Sequence, residues 1–469
     1  MLKDQKLDEF AQRGVNIAQF VSYGPDGKKR YSRIRGTYPT HRTASIEGAV
    51  QAILDTGAPF VNIRSFLPTK PDGNPFFMGR REKWATVVDA ADVVRKLCRD
   101  GYHVVINEDI DINDGGFSGV VMGEVAEFAP MDTPRCVEKT TEPRCAVLPR
   151  REMELLVQTV YERRIGFPYS RNHRIEFSVH PGPVGYLRAP YIIWQEEAIE
   201  RGTGPAATPP VWPNRYSVVM GDKAYGLLMA HLYGLRVPRT RVTGRVIPPF
   251  EFGEFTGDGN TRWVRTCPKN QEPGKFTTEP RWVDPFALMQ REDPDGSRIA
   301  AIIQQDNVPT DGGYSGAAIT GADGALIVEG KAGRGDRFMV GEASCEDLPA
   351  FVTDAVEREY DRVLETFGPA RFEWVCDAAG NLWIVQFHVG ISASVGDVIY
   401  PGEPAKSWER FDIAGGLERL RDLVRNISSS RFPGNTGVVL VGNVGITSHF
   451  GDLLRRAKIP SRLERPAAK

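Results

Sequence analysis

Apolar residues in this chain gather into short β-branched runs rather than long helical stripes. VVIN (104–107) and AIIQ (301–304) are two such runs, and their length and branching predict buried strands. Each leads through an acidic segment into a glycine-rich turn, DGGFSG at 114–119 and DGGYSG at 311–316, and a second strand is predicted after each turn. In the later stretch GAAIT is followed by GALIVEG and then by KAGRGDRFMVG. RFEWVCDAAGNLWIVQFH (371–388) predicts a β-hairpin turning at AAGN, in which alternation lets Glu373, Cys376 and Gln386 face either core or cleft. Further on, FDIAGGLERLRDLVRNI has helical spacing between Pro/Gly-rich and Ser-rich stretches and reads as a linker element, and GVVLVG (437–442) predicts one more buried strand.

The doubled turn belongs to a longer repeat. The offset of 197 positions that carries 114 to 311 also carries Asp109 to Asp306, Ser118 to Ser315, Gly119 to Gly316, and RIEF (174–177) onto RFEW (371–374). VNIRSF around Arg64 matches WVRTCP around Arg265 at an offset of 201. So long a period implies duplication of a domain-sized unit rather than a solenoid. The first copy, about 45–200, keeps Arg64, Glu108, Glu176 and Gln195. It has a longer hairpin and an extra segment, GEVAEFAPMDTPRCVEK, and no counterpart of the helix around Lys223 is recognised in it. It reads as a diverged half kept for stability or substrate binding, the alternative being a second active nucleotide site.

Composition narrows the partners. With 469 residues, two to four domains are expected. Lysine and arginine total 59 against 60 acidic residues, so no global basic field draws nucleic acid or an anionic membrane, and any anionic ligand must be held locally. Cys98, Cys136, Cys145, Cys267, Cys345 and Cys376 form no CxxC pair and no zinc-like spacing, which predicts buried thiols in a reducing, cytoplasmic setting. No apolar run approaches a membrane span, and the first residues lack the apolar core of a signal peptide.

Candidate chemistry concentrates in the later copy and beyond it. Glycines around Lys331, Arg334 and Arg337 suggest a turn whose N–H groups, helped by those cations, hold an anion. After the 437–442 strand, Thr447 or Ser448 is placed to cap a helix running through Leu453 and Leu454, with His449 in its first turn. A helix N-terminus favours an added phosphoryl group, and a neutral imidazole is a competent nucleophile. The remaining histidines, His41, His103, His173, His180, His231 and His388, are unclustered in sequence and read mostly as structural.

From VVMGDKAYGLLMAHLYGLRVP (218–238) through WVRTCP, AIIQQDNVPTDGGYSGAAITG and the glycine stretch to RFEWVCDAAGNLWIVQFH, the chain resembles the nucleotide-binding half of phosphoenolpyruvate synthase and pyruvate phosphate dikinase, an ATP-grasp fold. The resemblance covers roughly 215–390. It implies ATP and Mg²⁺ as cofactors, a GGK-type lysine at Lys223, a phosphate-binding arginine at Arg265, a hinge residue at Gln304 or Gln305, and Glu373 and Gln386 around the metal. His388 departs from the pattern, standing where the family has an arginine. GNVGITSHFGDLLRRAKIP is similar to the family's phosphohistidine segment, with Thr447, Ser448, His449, Arg455 and Pro460 in matching order.

The expected fold is therefore α+β or α/β, with tandem ATP-grasp-like halves at 1–200 and 215–400. A linker helix and a phosphohistidine-like α/β segment follow at 401–469. The expected function is an ATP-dependent phosphotransferase with Glu373, Arg265 and His449 at its centre. Its partners are the nucleotide and an unidentified small-molecule or protein acceptor. The alternatives are an ATP-grasp ligase that activates a carboxylate as an acyl phosphate, or a non-catalytic nucleotide-binding scaffold.

Overall fold

A computed structural model describes residues 3–35, 43–67, 76–77, 82–84, 86–131, 145–167, 173–198, 210–257, 262–269, 276, 278–335, 345–429 and 433–465. Of the sequence-derived candidates, His41, Cys136 and Arg337 lie outside the described residues, as does the 132–139 part of the extra segment. The chain divides into two compact units, 1–219 with 246–248, and 220–245 with 249–469. No described helix is long and apolar enough to cross a membrane.

The first unit contains two mixed-length sheets. β1 (Phe20–Tyr23), β2 (Lys29–Arg33), β3 (Val61–Leu67), β4 (Phe76–Phe77), β5 (Glu82–Trp84) and β6 (His103–Glu108) lie in the order β2-β1-β6-β3-β4, with β5 also on β3. Helices α2 (Ile46–Leu54) and α3 (Val87–Arg99), capped by Ser45 and Thr86, bury Val50, Ile53 and Val94 against Val104 and Ile106. The second sheet, in the order β11-β10-β7-β8-β9, comprises β7 (Phe117–Met122), β8 (Val125–Ala129), β9 (Ala146–Pro149), β10 (His173–Val184) and β11 (Ala189–Ala198). Helix α1 (Lys3–Gln12) packs on β11, and α4 (Arg150–Tyr161) follows β9.

α5 (Arg215–Met220) leads to the second unit, which repeats this scheme. β12 (Thr240–Gly244), β13 (Phe250–Phe252), β14 (Arg262–Pro268), β15 (Thr278–Glu279) and β16 (Ile299–Asp306) lie in the order β13-β12-β16-β14-β15. The central strand β16 is buried along its whole length, which is why it reads as a continuous apolar run. β17 (Tyr314–Thr320), β18 (Leu326–Ala332), β19 (Ala370–Cys376) and β20 (Leu382–Val389) lie in the order β18-β17-β19-β20. α6 (Asp222–Leu232) packs on β20, α7 (Pro285–Glu292) on β16 and α8 (Ala350–Phe367) on β19.

The registers agree residue by residue. Arg174, Ile175, Glu176 and Phe177 face Met122, Val121, Val120 and Gly119; Arg371, Phe372, Glu373 and Trp374, each 197 positions later, face Ile319, Ala318, Ala317 and Gly316. The shared glycines have shared causes. A Cβ on Gly116 would meet the carbonyl oxygen of Val179 at 1.8 Å, and one on Gly313 would meet that of Cys376 at 2.4 Å. Cys376 lies 197 positions after Val179. The doubled turn is the place where each sheet's central hairpin crosses its neighbour too closely for any side chain.

One sequence-based expectation is corrected here. Arg64 faces Val105, whereas Arg265 faces Ile303; the residue in Arg265's place is Ile63, which faces Ile106. The true offset on this strand is 202 (63 to 265), and a one-residue slip turns Arg64 to the opposite face of the sheet. α1 and α6 both end at a glycine in the left-handed region, Gly14 and Gly234.

The stretch read as a linker forms part of a layer. β21 (Val398–Tyr400), β22 (Ser407–Asp412), β23 (Thr436–Val441) and β24 (Ser461–Glu464) form a sheet in the order β21-β24-β23-β22, with β22, β23 and β24 parallel. α9 (Gly416–Ser428) buries Leu420, Val424 and Ile427, and α10 (His449–Ala457) buries Phe450 and Leu454. They join Leu440, Val438 and Ile319 of β17 in one core, each buried aliphatic side chain contributing about 1.5–3 kcal/mol. Burial of this layer's apolar face against the β17–β20 sheet brings His449 to that sheet.

Candidate active site

Alternation along β19 divides its residues between two faces. Phe372, Trp374 and Cys376 are buried, while Arg371, Glu373 and Val375 are half-buried on the other face, which places Cys376 in the core. Gln386 of β20 faces Glu373, and His388 faces Arg371. Across the sheet Ala317 lies opposite Glu373, and Glu329 of β18 opposite Ala317, so one face carries a row of Gln386, Glu373 and Glu329. From the neighbouring sheet, Arg265 donates to the carbonyl of Val385 at 2.8 Å and to Oε1 of Gln305 at 3.4 Å.

These elements surround a cavity of about 540 Å³, within the usual range for a small-molecule site. Lys223, Arg265, Gln305, Glu373, Gln386 and His449 all line it. Arg334 lines it as well, its guanidinium 5.1 Å from the Trp263 ring, whose Nε1 donates to Asn307 at 3.0 Å. Gln304 points away, with its amide donating to the carbonyl of Val283, because alternation along β16 sends it to the face opposite Gln305. Lys331 also fails to reach the cavity and pairs with Glu346 at 3.6 Å. Of the sequence-derived set, Lys223, Arg265, Gln305, Arg334, Glu373, Gln386 and His449 meet at the cavity, and Gln304 and Lys331 do not.

Burial depresses the Lys223 ammonium from its ordinary value and Arg265 adds to this, while Cys267 and Glu373 oppose it. Lys223 and Glu373 form no ion pair or side-chain hydrogen bond with any described residue. His449 stands at the first position of α10, after the Ser448 cap. Burial holds its imidazole below the ordinary value, against the pull of Glu373 and Asp452, so it is neutral at neutral pH. Its Nδ1 is buried without a hydrogen-bond partner. Two cations and a neutral imidazole thus meet around one carboxylate, a balance of charge that suits an anion.

His388 is taken up by the protein. Its Nδ1 donates to Asp222 at 2.9 Å, so in the neutral ring Nε2 is an acceptor, and Gln386 Nε2 donates to it at 3.1 Å. That leaves Gln386 Oε1 for another partner. Among the described residues no group of three or more His, Cys, Asp or Glu side chains is placed to hold a metal ion. The cross-strand pair of Glu373 carboxylate and Gln386 carbonyl supplies the one or two oxygen ligands with which a magnesium–nucleotide complex is ordinarily held, phosphates and water completing the shell. Sequence reasoning did not single out Asp222, Trp263 or Asp452, although they stand beside Lys223, at the head of WVRTCP and three residues after His449, because the letters do not show which partners they meet; the i, i+2 spacing of Gln386 and His388 was the one available signal for the Asp222 link.

His180, expected to be isolated, is not. Ser178 Oγ lies 2.9 Å from its Nε2, and its Nδ1 lies 3.0 Å from Asp114 of the first DGG turn. Ser178 is 1% exposed, too enclosed to meet a substrate, so the chain ties that turn to β10.

No protein-family model matches this chain, and no curated protein does. Among solved structures it is similar to D-alanine–D-alanine ligase from Coxiella burnetii, at 10% identity over 37% of this chain and 49% of that one, with a TM-score of 0.25. It is also similar to D-alanine–D-alanine ligase from Bacillus anthracis complexed with ATP, at 12% identity, 38% and 57% coverage, and a TM-score of 0.25. A third is N5-carboxyaminoimidazole synthetase from Staphylococcus aureus complexed with ADP, at 9% identity, 38% and 47% coverage, and a TM-score of 0.25. The matched region spans about half of each of those chains, and likenesses this partial do not carry an argument about this molecule, whose chemistry rests on the residues of the cavity.

Proposed function

We propose that the second unit is an ATP-grasp-like module that binds Mg-ATP and transfers its terminal phosphoryl group, with His449 as the acceptor. One observation carries this reading: Lys223, Glu373 and His449 line one cavity, and none has a protein partner for its polar atoms among the described residues. Lys223 and Arg265 neutralise the phosphates, where electrostatics and positioning do most of the work of phosphoryl transfer. Glu373 and Gln386 hold magnesium, which when bound screens the charge developing on the phosphate oxygens. An imidazole nitrogen of His449 bonds to the terminal phosphorus as the bridging P–O bond breaks, and the nucleotide diphosphate leaves. The first unit is proposed to be a diverged duplicate. On its strands Glu176 pairs with Gln195 as Glu373 does with Gln386, but Ile63 stands in the place of Arg265.

A second acceptor fits the same residues: a bound carboxylate converted to an acyl phosphate and passed to an amine. The intact mass of the protein after Mg-ATP treatment at neutral to alkaline pH separates the two readings. One added phosphoryl group in wild type and none in His449→Ala supports the histidine acceptor. ADP release that depends on added carboxylate and amine and survives His449→Ala supports the ligase. Failure to bind ATP at all refutes both.

A further inference from the structure

We propose that Asp452 and Glu329 are positioning residues that together hold His449 in the cavity; this rests on the phosphoryl-transfer reading above. Asp452 lies one turn after His449 in α10, and both nitrogens of the Arg371 guanidinium fork engage its carboxylate. Arg455 binds the same carboxylate from one turn further on, and also donates to the carbonyl of Ile446 at 2.7 Å and to Ser394 Oγ at 3.1 Å. Arg371 is two residues from Glu373, on the cavity face of β19. The network therefore ties the helix that carries His449 to the strand that carries the proposed metal ligand.

The second anchor is on the other side of His449. Glu329 accepts from the backbone N–H of Ile446 at 3.0 Å, from that of Thr447 at 2.8 Å and from the Thr447 hydroxyl at 2.7 Å. Ser448 then caps the helix. Gly451 leaves no slack in the loop, since a Cβ there would lie 2.3 Å from the Ile446 carbonyl oxygen. Side chains on two strands of one sheet thus fix the residues before and after His449. Buried ionic groups are a poor way to gain stability compared with apolar packing, and their best-attested use is to specify one geometry. Burial alone would raise the Asp452 carboxyl, yet Arg371 and then Arg455 hold it far below the usual range, so it stays ionised.

The test compares wild type with Glu329→Gln, Asp452→Asn and Thr447→Val in the full chain, using ATP and ¹⁵N-histidine labelling. Without nucleotide, His449 in wild type gives one tautomer signature, assigned by its loss in His449→Gln. In the anchor variants that signature is expected to shift or broaden. With Mg-ATP, nucleotide affinity is expected to stay within about twofold, because no nucleotide-binding residue is touched, while phosphorylation of His449 slows about 100-fold, the cost of a displacement of roughly 1 Å. Thr447→Val removes one donor only and keeps the question open to measurement if a buried-charge variant does not fold; it is expected to slow transfer several-fold at an unchanged melting temperature. Transfer at the wild-type rate in folded variants overturns the proposal, and so does a loss of affinity in step with the loss of rate. If wild type transfers no phosphoryl group, the reading of function fails. The proposed clamp is then judged by the nucleotide-free signature, and an unchanged signature in the variants refutes it.

Discussion

Lys223→Met separates a ligand-binding cation from a structural one. In the ligand-free protein Lys223 sits in the cavity without an ion pair, and burial works against its charge. Replacing it with an apolar side chain of similar length should therefore stabilise the free protein, by about 1 kcal/mol, since function-bearing residues are often kept at the expense of stability. The same change should weaken nucleotide binding. Two unit charges 4 Å apart interact by about 4 kcal/mol at an effective dielectric of 20; if half of that survives competition from water, affinity falls about 30-fold. The pH dependence has a definite sign. The folded protein holds the Lys223 proton less tightly than the unfolded chain does, so between the depressed value and the ordinary 10.5 the unfolded state binds more protons, and stability rises with pH. Lys223→Met should abolish that alkaline rise. Melting curves from pH 7 to 10.5, with and without Mg-ATP, together with calorimetric titration, measure all three effects. A variant that melts lower and binds ATP as wild type does would refute the assignment of Lys223 to the phosphate site.

Glu373→Ala should abolish nucleotide turnover while leaving the fold intact, because its carboxylate makes no bond within the protein; turnover assays at saturating magnesium check this, and retained turnover removes Glu373 from the site. His388→Phe should free the Gln386 amide to rotate and raise the magnesium concentration needed for half-maximal nucleotide binding, with little change at saturating metal, as read by titrating the metal. His180→Ala should cost about 1–3 kcal/mol by leaving Ser178 and Asp114 short of a partner, visible in urea denaturation and without effect on the nucleotide site. Gly316→Ala should fail to fold normally, since its Cβ would lie 2.1 Å from the Glu329 carbonyl oxygen, and circular dichroism reports this directly.

Much of this architecture was legible where the signal was local. The strands around 104–107 and 301–304, the 371–388 hairpin and the Ser448-capped helix each depend on neighbours a few residues away, and each appears as expected. Glu373, Gln386 and Arg265 could be picked out because their motifs stand in a recognisable order. What escaped was set by pairing across the chain. Arg64 looked like Arg265 because both sit beside similar letters, but a strand pair counts in single residues, and one step puts the side chain on the wrong face. Gln304 and Gln305 are indistinguishable as letters, and only the pleat of β16 decides which enters the cavity. The clamp residues Glu329, Arg371 and Asp452 stand within quoted stretches but were not singled out there, since each acquires its meaning from a partner about 80 to 120 positions away.

The order β21-β24-β23-β22 has a consequence for how the molecule is made. β24 lies between β21 and β23 although it follows both in the chain. During synthesis from the N-terminus, β21 therefore leaves the ribosome with its partner unmade, and β23 has one open edge until Glu464 has emerged. Exposed strand edges recruit other chains, and nascent domains face this hazard at a pace of roughly 5–20 residues per second. The layer that presents His449 is thus completed only once β24 has emerged, and between the emergence of β23 and that of β24 an open strand edge is there for a chaperone to cover.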